Sequence, residues 1–217
     1  MTDVHNLGLF ILAGWLLNLT PGPDVLFIVS SALRSGAKAG VVAALGITAG
    51  CFVHIFAAAL GVSALMAASS TAFTALKWAG AAYLFYVGLK LVLSPGTKPV
   101  ELTAENPVQT SDKHLKSIFF KGFLTNTLNP KVALFFLAFV PQFIAPQASH
   151  PALTFVLLGV LFNVNALPVN VGYALLAAWA TRRLGAVQRA LHWLDRVAGV
   201  MFVGFGIRLA LTEAPGG

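Results

Sequence analysis

The chain has 217 residues, 58% of them hydrophobic and 10% charged, with a formal net charge of +7 and a mean hydropathy of +0.83. Soluble domains carry about a quarter charged residues, and a chain of this size has no single core large enough to hide so much apolar side chain from water; the bilayer is therefore its solvent. The 14 Lys and Arg are scattered over short connections and form no basic aromatic surface, so nucleic acid is not expected as a partner, and the single cysteine, Cys51, can build neither an intramolecular disulfide nor a thiolate metal cluster.

Apolar runs long enough to cross about 30 Å of hydrocarbon fall at residues 7–33, 40–66, 73–93, 117–144, 152–180 and 197–211. The predicted fold is all-α, a polytopic membrane protein with six transmembrane helices. No Lys or Arg precedes the first run, which is too long for a signal-peptide core, so it is expected to be a retained span. Within it, Pro21, Gly22 and Pro23 remove two backbone donors and leave carbonyls of the preceding turn without helical partners. A backbone group left unsatisfied in hydrocarbon costs several kcal/mol, so the break must face protein or a water-filled cavity, and Asn18 and Thr20 are placed to support it. Asp24 follows directly, at a depth where a lone charge costs at least ~3 kcal/mol, and must also face the interior. A kink that serves packing alone is the blander alternative.

In the second span, His54 has a side chain whose ordinary pKa near 6.5 suits a proton relay with Asp24, although a hydrogen-bonded packing histidine fits the same position. Cys51 reads as a small core hydrophobe. Gly36 with Gly40 and Gly46 with Gly50 have the spacing that lets helices approach closely, within one chain or in a homodimer. Residues 94–116 form the long hydrophilic connection, with Pro95, Gly96, Pro99 and Pro107, and read as a flexible linker between a first unit at 1–93 and a second at 117–217.

The fourth span repeats the break of the first with Asn126, Asn129 and Pro130, and Lys131 follows it as Asp24 follows the other. Asn163, Asn165 and Asn170, with Pro168, make the fifth span polar without charge, which fits a cavity wall or interhelical hydrogen bonding. The sixth run is short, and Leu191, Trp193 and Leu194 lengthen it at the interface.

Positive residues stay on the cytoplasmic side. Arg34 and Lys38 mark the first connection, Lys98, Lys113 and Lys116 the linker, and Arg182, Arg183, Arg189 and Arg196 the fifth, whereas the second and fourth are nearly free of them. Both termini are thus expected outside. Trp78, Trp179 and Trp193 fall near span ends, where indoles favour the headgroup layer. The stretch from Gly14 to Pro21 lies over that from Gly122 to Pro130, with glycine, aromatic, leucine and asparagine in register. Lys77–Gly80 likewise resembles Arg196–Gly199, and Gly88–Leu91 resembles Gly206–Leu209. Since each half holds three spans, the second must enter the membrane from the opposite face. The expected architecture is two inverted three-helix repeats with broken first and fourth helices, the arrangement of many secondary transporters, whose binding sites lie at such paired breaks.

The run from Asn18 through Thr20-Pro21-Gly22-Pro23 to Asp24, continued by Gly46, by Gly80-Ala81-Ala82-Tyr83-Leu84 and by Asn129-Pro130-Lys131, resembles the LysE/RhtB family of bacterial amino-acid exporters over essentially the whole chain. The resemblance implies efflux of amino acids from the cytoplasm across the inner membrane, coupled to the proton gradient, with the homoserine, threonine and leucine type nearer than the lysine and arginine type. Asp24 and Lys131 fall on the family's charged motif positions.

The residues themselves suggest that Asp24 and Lys131 approach each other, either as a structural ion pair or to hold the ammonium and carboxylate of a zwitterion, with Asp24 carrying the proton. The substrate site is expected at Asn18, Thr20, Pro21, Gly22, Pro23, Asp24, Asn126, Asn129, Pro130, Lys131, Asn163 and Asn165, with proton coupling at Asp24 and His54. The partners are then an amino acid, protons and lipid. No cofactor or metal is expected, and no phosphate loop, zinc or hydrolase motif occurs. A passive channel and an intramembrane enzyme using His54 and Asp24 are the alternatives.

Overall fold

The computed structural model describes residues 3–68, 70–93, 111–145, 148–179, 197, 199–200, 203–204 and 207. These residues are helical throughout apart from turns and one isolated bridge, Val4 to Ile144. By length and apolarity two helical stretches qualify as membrane spans, Pro23–Gly61 and Pro151–Trp179, and the bent pair Asp112–Thr127 with Pro130–Phe143 makes a third. Most of the linker, the basic residues of the fifth connection, nearly all of the sixth run and the match between third and sixth runs lie outside the described residues.

Helix α1, Leu7–Leu19, stops at Thr20, whose extended backbone (φ −78°, ψ 118°) is followed by the two prolines. Helix α2, Pro23–Ala68, is interrupted at Gly36, where φ is 83° and ψ 176°. That conformation is open to glycine and strained for any residue with a Cβ. The chain doubles back there. A Cβ on Gly40 would lie 2.7 Å from the Cβ of Ala32, whereas eight residues of unbroken helix would rise about 12 Å. Residues 23–35 thus continue the first segment past its break, and 37–68 return beside it.

Helix α3, Ser70–Leu93, packs on α2 and on a π-helical turn at Phe135–Phe139. Helix α4, Asp112–Thr127, begins inside the expected linker. The Ser111 side chain accepts the His114 N–H at 3.3 Å and Asp112 occupies the first turn, so a capped start with favourable charge outweighs the polarity of residues 112–116. After Leu128 and Asn129 the chain resumes as α5, Pro130–Leu134, then passes through the π turn and a 3-10 turn, Val140–Phe143. The two parts of this segment are bent by 46°. Helix α6, Pro151–Trp179, closes the described bundle and buries a stripe including Phe155, Phe162, Asn163, Ala166, Asn170 and Ala174.

Two cores flank the breaks. One is aromatic, with Phe10, Phe135, Phe136, Phe139, Phe143, Phe155 and Phe162; the Phe135 and Phe162 rings are 4.9 Å apart. The other is built from small and branched residues, Ala39, Ala43, Ala44, Ile28, Ile47, Ile118 and Ala174. There α2 and α4 touch backbone to backbone. The Phe119 carbonyl sits where a Cβ of Gly46 would be, the Phe123 carbonyl 2.5 Å from one on Gly50, and the Ala43 carbonyl 2.7 Å from one on Gly122. Both glycine pairs singled out in the sequence therefore serve packing and turning within the chain, and a homodimer would have to use other surfaces.

Candidate functional site

Each proline at the breaks strips a partner from the carbonyl four residues before it. Pro21 leaves Leu17 and Pro23 leaves Leu19 without that partner, whereas the Asn126 carbonyl before Pro130 is met by the Asn129 N–H at 2.9 Å instead. The structure supplies a side chain to each. Lys131 Nζ donates to the Leu17 carbonyl at 2.9 Å and to the Thr20 carbonyl at 2.9 Å, and the Tyr173 hydroxyl donates to the Leu19 carbonyl at 2.8 Å. His54 Nε2 lies 2.8 Å from the Asn126 carbonyl oxygen; facing an acceptor, that ring nitrogen carries a proton. The side-chain donors to the first break come from the second half of the chain, and the side-chain donor to the second break comes from the first half.

The two breaks also agree in detail. Helix resumes at Pro23 and at Pro130, with the charged residue next in each case. Sequence register brings Pro21 within one residue of Pro130, but as helix starts Pro23 takes the part of Pro130, and Asp24 and Lys131 become equivalent positions. Opposite demands of the helix ends separate their signs. Asp24 lies in the first turn of α2, where the dipole favours an anion, and the Lys131 ammonium reaches the last carbonyls of α1, where it favours a cation.

Asp24 and Lys131 line one cavity, with Asn18, Thr20, Gly22, Asn126 and Asn129 from the breaks and Asn163 and Asn170 from α6. Asn126 Nδ2 donates to Asp24 Oδ2 at 2.9 Å, and Asn129 Oδ1 accepts the Lys131 backbone N–H at 3.0 Å. Asn163 Nδ2 donates to the Thr48 carbonyl at 3.0 Å and ties α6 to α2. The cavity measures about 30 Å³, room for roughly two waters. Among the described residues, three buried polar atoms on its wall have no hydrogen-bond partner: Asn18 Nδ2, Asp24 Oδ1 and Asn126 Oδ1. Such orphans are rare and cost about 1–3 kcal/mol each.

Several expected residues stand apart from the cavity. Pro21, Pro23 and Pro130 shape the breaks without lining it. Asn165 points elsewhere, its amide donating to the Leu161 carbonyl of its own helix at 3.0 Å, because two residues turn a helix by about 200° and Asn163 and Asn165 cannot share a face. His54 reaches Asp24 only through Asn126, whose carbonyl it meets and whose amide bonds the carboxylate. Sequence reasoning did not single out Tyr173, nor the apolar wall of Ile47, Phe162 and Ala166, and Cys51 lines the cavity as well as the core. The periodicity of α6 could have found Ala166, which follows Asn163 at helical spacing as Asn170 does.

A charged, polar cavity beside paired helix breaks inside an apolar helical protein is an arrangement found in many membrane transporters. The family model of the LysE type translocator matches residues 15–213, and the chain belongs to that family. It is a multi-pass inner-membrane translocator and not an enzyme. An uncharacterized membrane protein of Pseudomonas aeruginosa is 38% identical over 199 residues, covering 88% of each chain. The leucine efflux protein of Salmonella typhimurium is 28% identical over 211 residues, covering 97% of each. An uncharacterized membrane protein of Vibrio cholerae is 30% identical, covering 98% of this chain and 100% of its own. No solved structure matches the chain.

Proposed function

We propose that this protein exports neutral amino acids such as threonine, homoserine or leucine from the cytoplasm, in exchange for protons. The observation that carries the reading is the set of unpartnered atoms on the cavity wall. Asp24 Oδ1 and Asn126 Oδ1 are acceptors that suit an ammonium, and Asn18 Nδ2 is a donor that suits a carboxylate, as does the Lys131 ammonium. Together they are complementary to the one feature that all α-amino acids share. The cavity wall holds one carboxylate and one ammonium, so a zwitterion is neutralised while a second charge on the substrate would have no counter-ion. The leucine efflux protein among the relatives supports the same reading.

With room for about two waters, the cavity is too small for any of these substrates in the conformation described. Loading must open one of the breaks, and the helix segments on either side of Thr20 and Asn129 are the natural moving parts. Exchange requires that proton and substrate compete for one group. Asp24 is the acidic side chain on the cavity wall and the one that would meet the substrate ammonium, so occupancy by either excludes the other.

Uptake of labelled threonine, homoserine, leucine and lysine into inside-out vesicles, with and without an imposed proton gradient, tests this. Saturable, gradient-driven accumulation of a neutral amino acid is expected, with lysine excluded. Flux that ignores the gradient and does not saturate would make the protein a channel, and no movement of any amino acid would overturn the substrate class.

A further inference from the structure

Tyr173 has no place in the substrate reading, and its geometry gives it one. It lies on α6, in the second half of the chain, and donates its hydroxyl to the Leu19 carbonyl at 2.8 Å, across 154 positions of sequence. Leu19 is the last residue of α1, and its carbonyl is the one that a continuous helix would satisfy through the N–H that Pro23 lacks. The neighbouring orphan, Leu17, is met by Lys131, while the Asn126 carbonyl in the second half has both the Asn129 N–H and His54. Lys131 and Asn126 also face the cavity, whereas Tyr173 is absent from its lining. The hydroxyl therefore meets the break from outside the cavity lining.

We infer that Tyr173 is a positioning residue for transport, which holds the first-half break dry and fixed by capping the carbonyl that Pro23 leaves exposed. The inference rests on the transporter reading for its relevance, but its physical content is local. Without the phenol oxygen, the Leu19 carbonyl has neither helix, side chain nor lipid to bond, and water is the remaining donor. Losing the cap should hydrate the break and open the adjoining cavity more often.

Cys51 reports this directly, since it is the single cysteine of the chain and lies buried on the cavity wall. In native membrane vesicles, Tyr173→Phe is expected to raise the rate at which a small thiol reagent labels Cys51 by about tenfold, the scale of one lost buried hydrogen bond. Pro23→Ala returns the N–H that a continuous helix aims at Leu19. In that background the same Tyr173→Phe change should alter labelling by less than about twofold. A merely structural tyrosine would give the same ratio with or without Pro23, and that result, or an unchanged labelling rate, overturns the inference. Should the Tyr173→Phe chain fail to accumulate in the membrane, its recovery by Pro23→Ala supports the pairing and continued loss overturns it. Labelling needs no substrate, so failure here is separable from failure of the amino-acid reading, which would leave the Cys51 ratios intact.

Discussion

Lys131 donates to the carbonyl of Leu17 at 2.9 Å, and Leu17 is the residue whose helical partner Pro21 removes. A charge that seemed to need a counter-ion in the membrane thus has backbone dipoles for partners, at the helix end where a cation is favoured. The same ammonium lies on the cavity wall. A substrate carboxylate that drew it away would uncap α1, so occupancy and the geometry of the break are linked through one side chain.

Lys131→Met should therefore do two things at once. Export is expected to fall at least a hundredfold, because the carboxylate of the substrate loses its cation. Stability in detergent should also drop, by about 1–3 kcal/mol for each of the carbonyls of Leu17 and Thr20 left without a donor. Thermal unfolding beside a transport assay measures both. A variant of wild-type stability that fails only in transport would show that the caps contribute nothing.

Asp24→Asn keeps the size of the side chain and can still accept the Asn126 amide hydrogen, but it cannot exchange a proton. Gradient-driven accumulation of substrate should fall to background while the protein still inserts and purifies normally. The prediction fails if the variant exports at the wild-type rate across the pH range.

The breaks were legible in the sequence because their cause is local. A proline in a membrane helix removes a donor wherever it lies, and Pro21, Pro23 and Pro130 announce the breaks by themselves. Which side chains meet the carbonyls at those breaks was not legible. Tyr173 and Leu19 are separated by 154 positions and His54 and Asn126 by 72, and nothing local to either residue says that they touch. His54 alone therefore fits a proton relay and a hydrogen-bonded packing residue equally, because its partner is not local in sequence. The linker boundary slipped by five residues because a polar stretch capped by Ser111 can begin a helix outside the apolar run.

Asn163 and Asn165 separate by helix phase, although they were grouped by composition. Asn163→Ala removes the tie to the Thr48 carbonyl and a polar group from the cavity wall, and is expected to cut export about tenfold. Asn165→Ala removes a bond within its own helix turn and should leave export within about twofold of wild type. Parallel transport rates at matched membrane levels decide it, and equal effects would mean that α6 presents a different face to the cavity.

The contact between α2 and α4 gives the sharpest test of packing. Phe119 offers its carbonyl where a side chain of Gly46 would begin, and the carbonyl is backbone, which cannot rotate away. Gly46→Ala should force the helices apart and destabilise the bundle by about 1–3 kcal/mol, the range of overpacked cores. Gly172 on α6 is the control, because a Cβ there meets nothing within 4 Å, and alanine should be neutral or should stabilise by up to about 1 kcal/mol through helix propensity. Because Asn126 lies in the last turn of α4, a shift of that helix also moves the amide bonded to Asp24 and the carbonyl facing His54. Gly46→Ala is thus expected to lower transport more than its loss of stability explains, and transport that merely follows the amount of folded protein would show that the site does not depend on this approach.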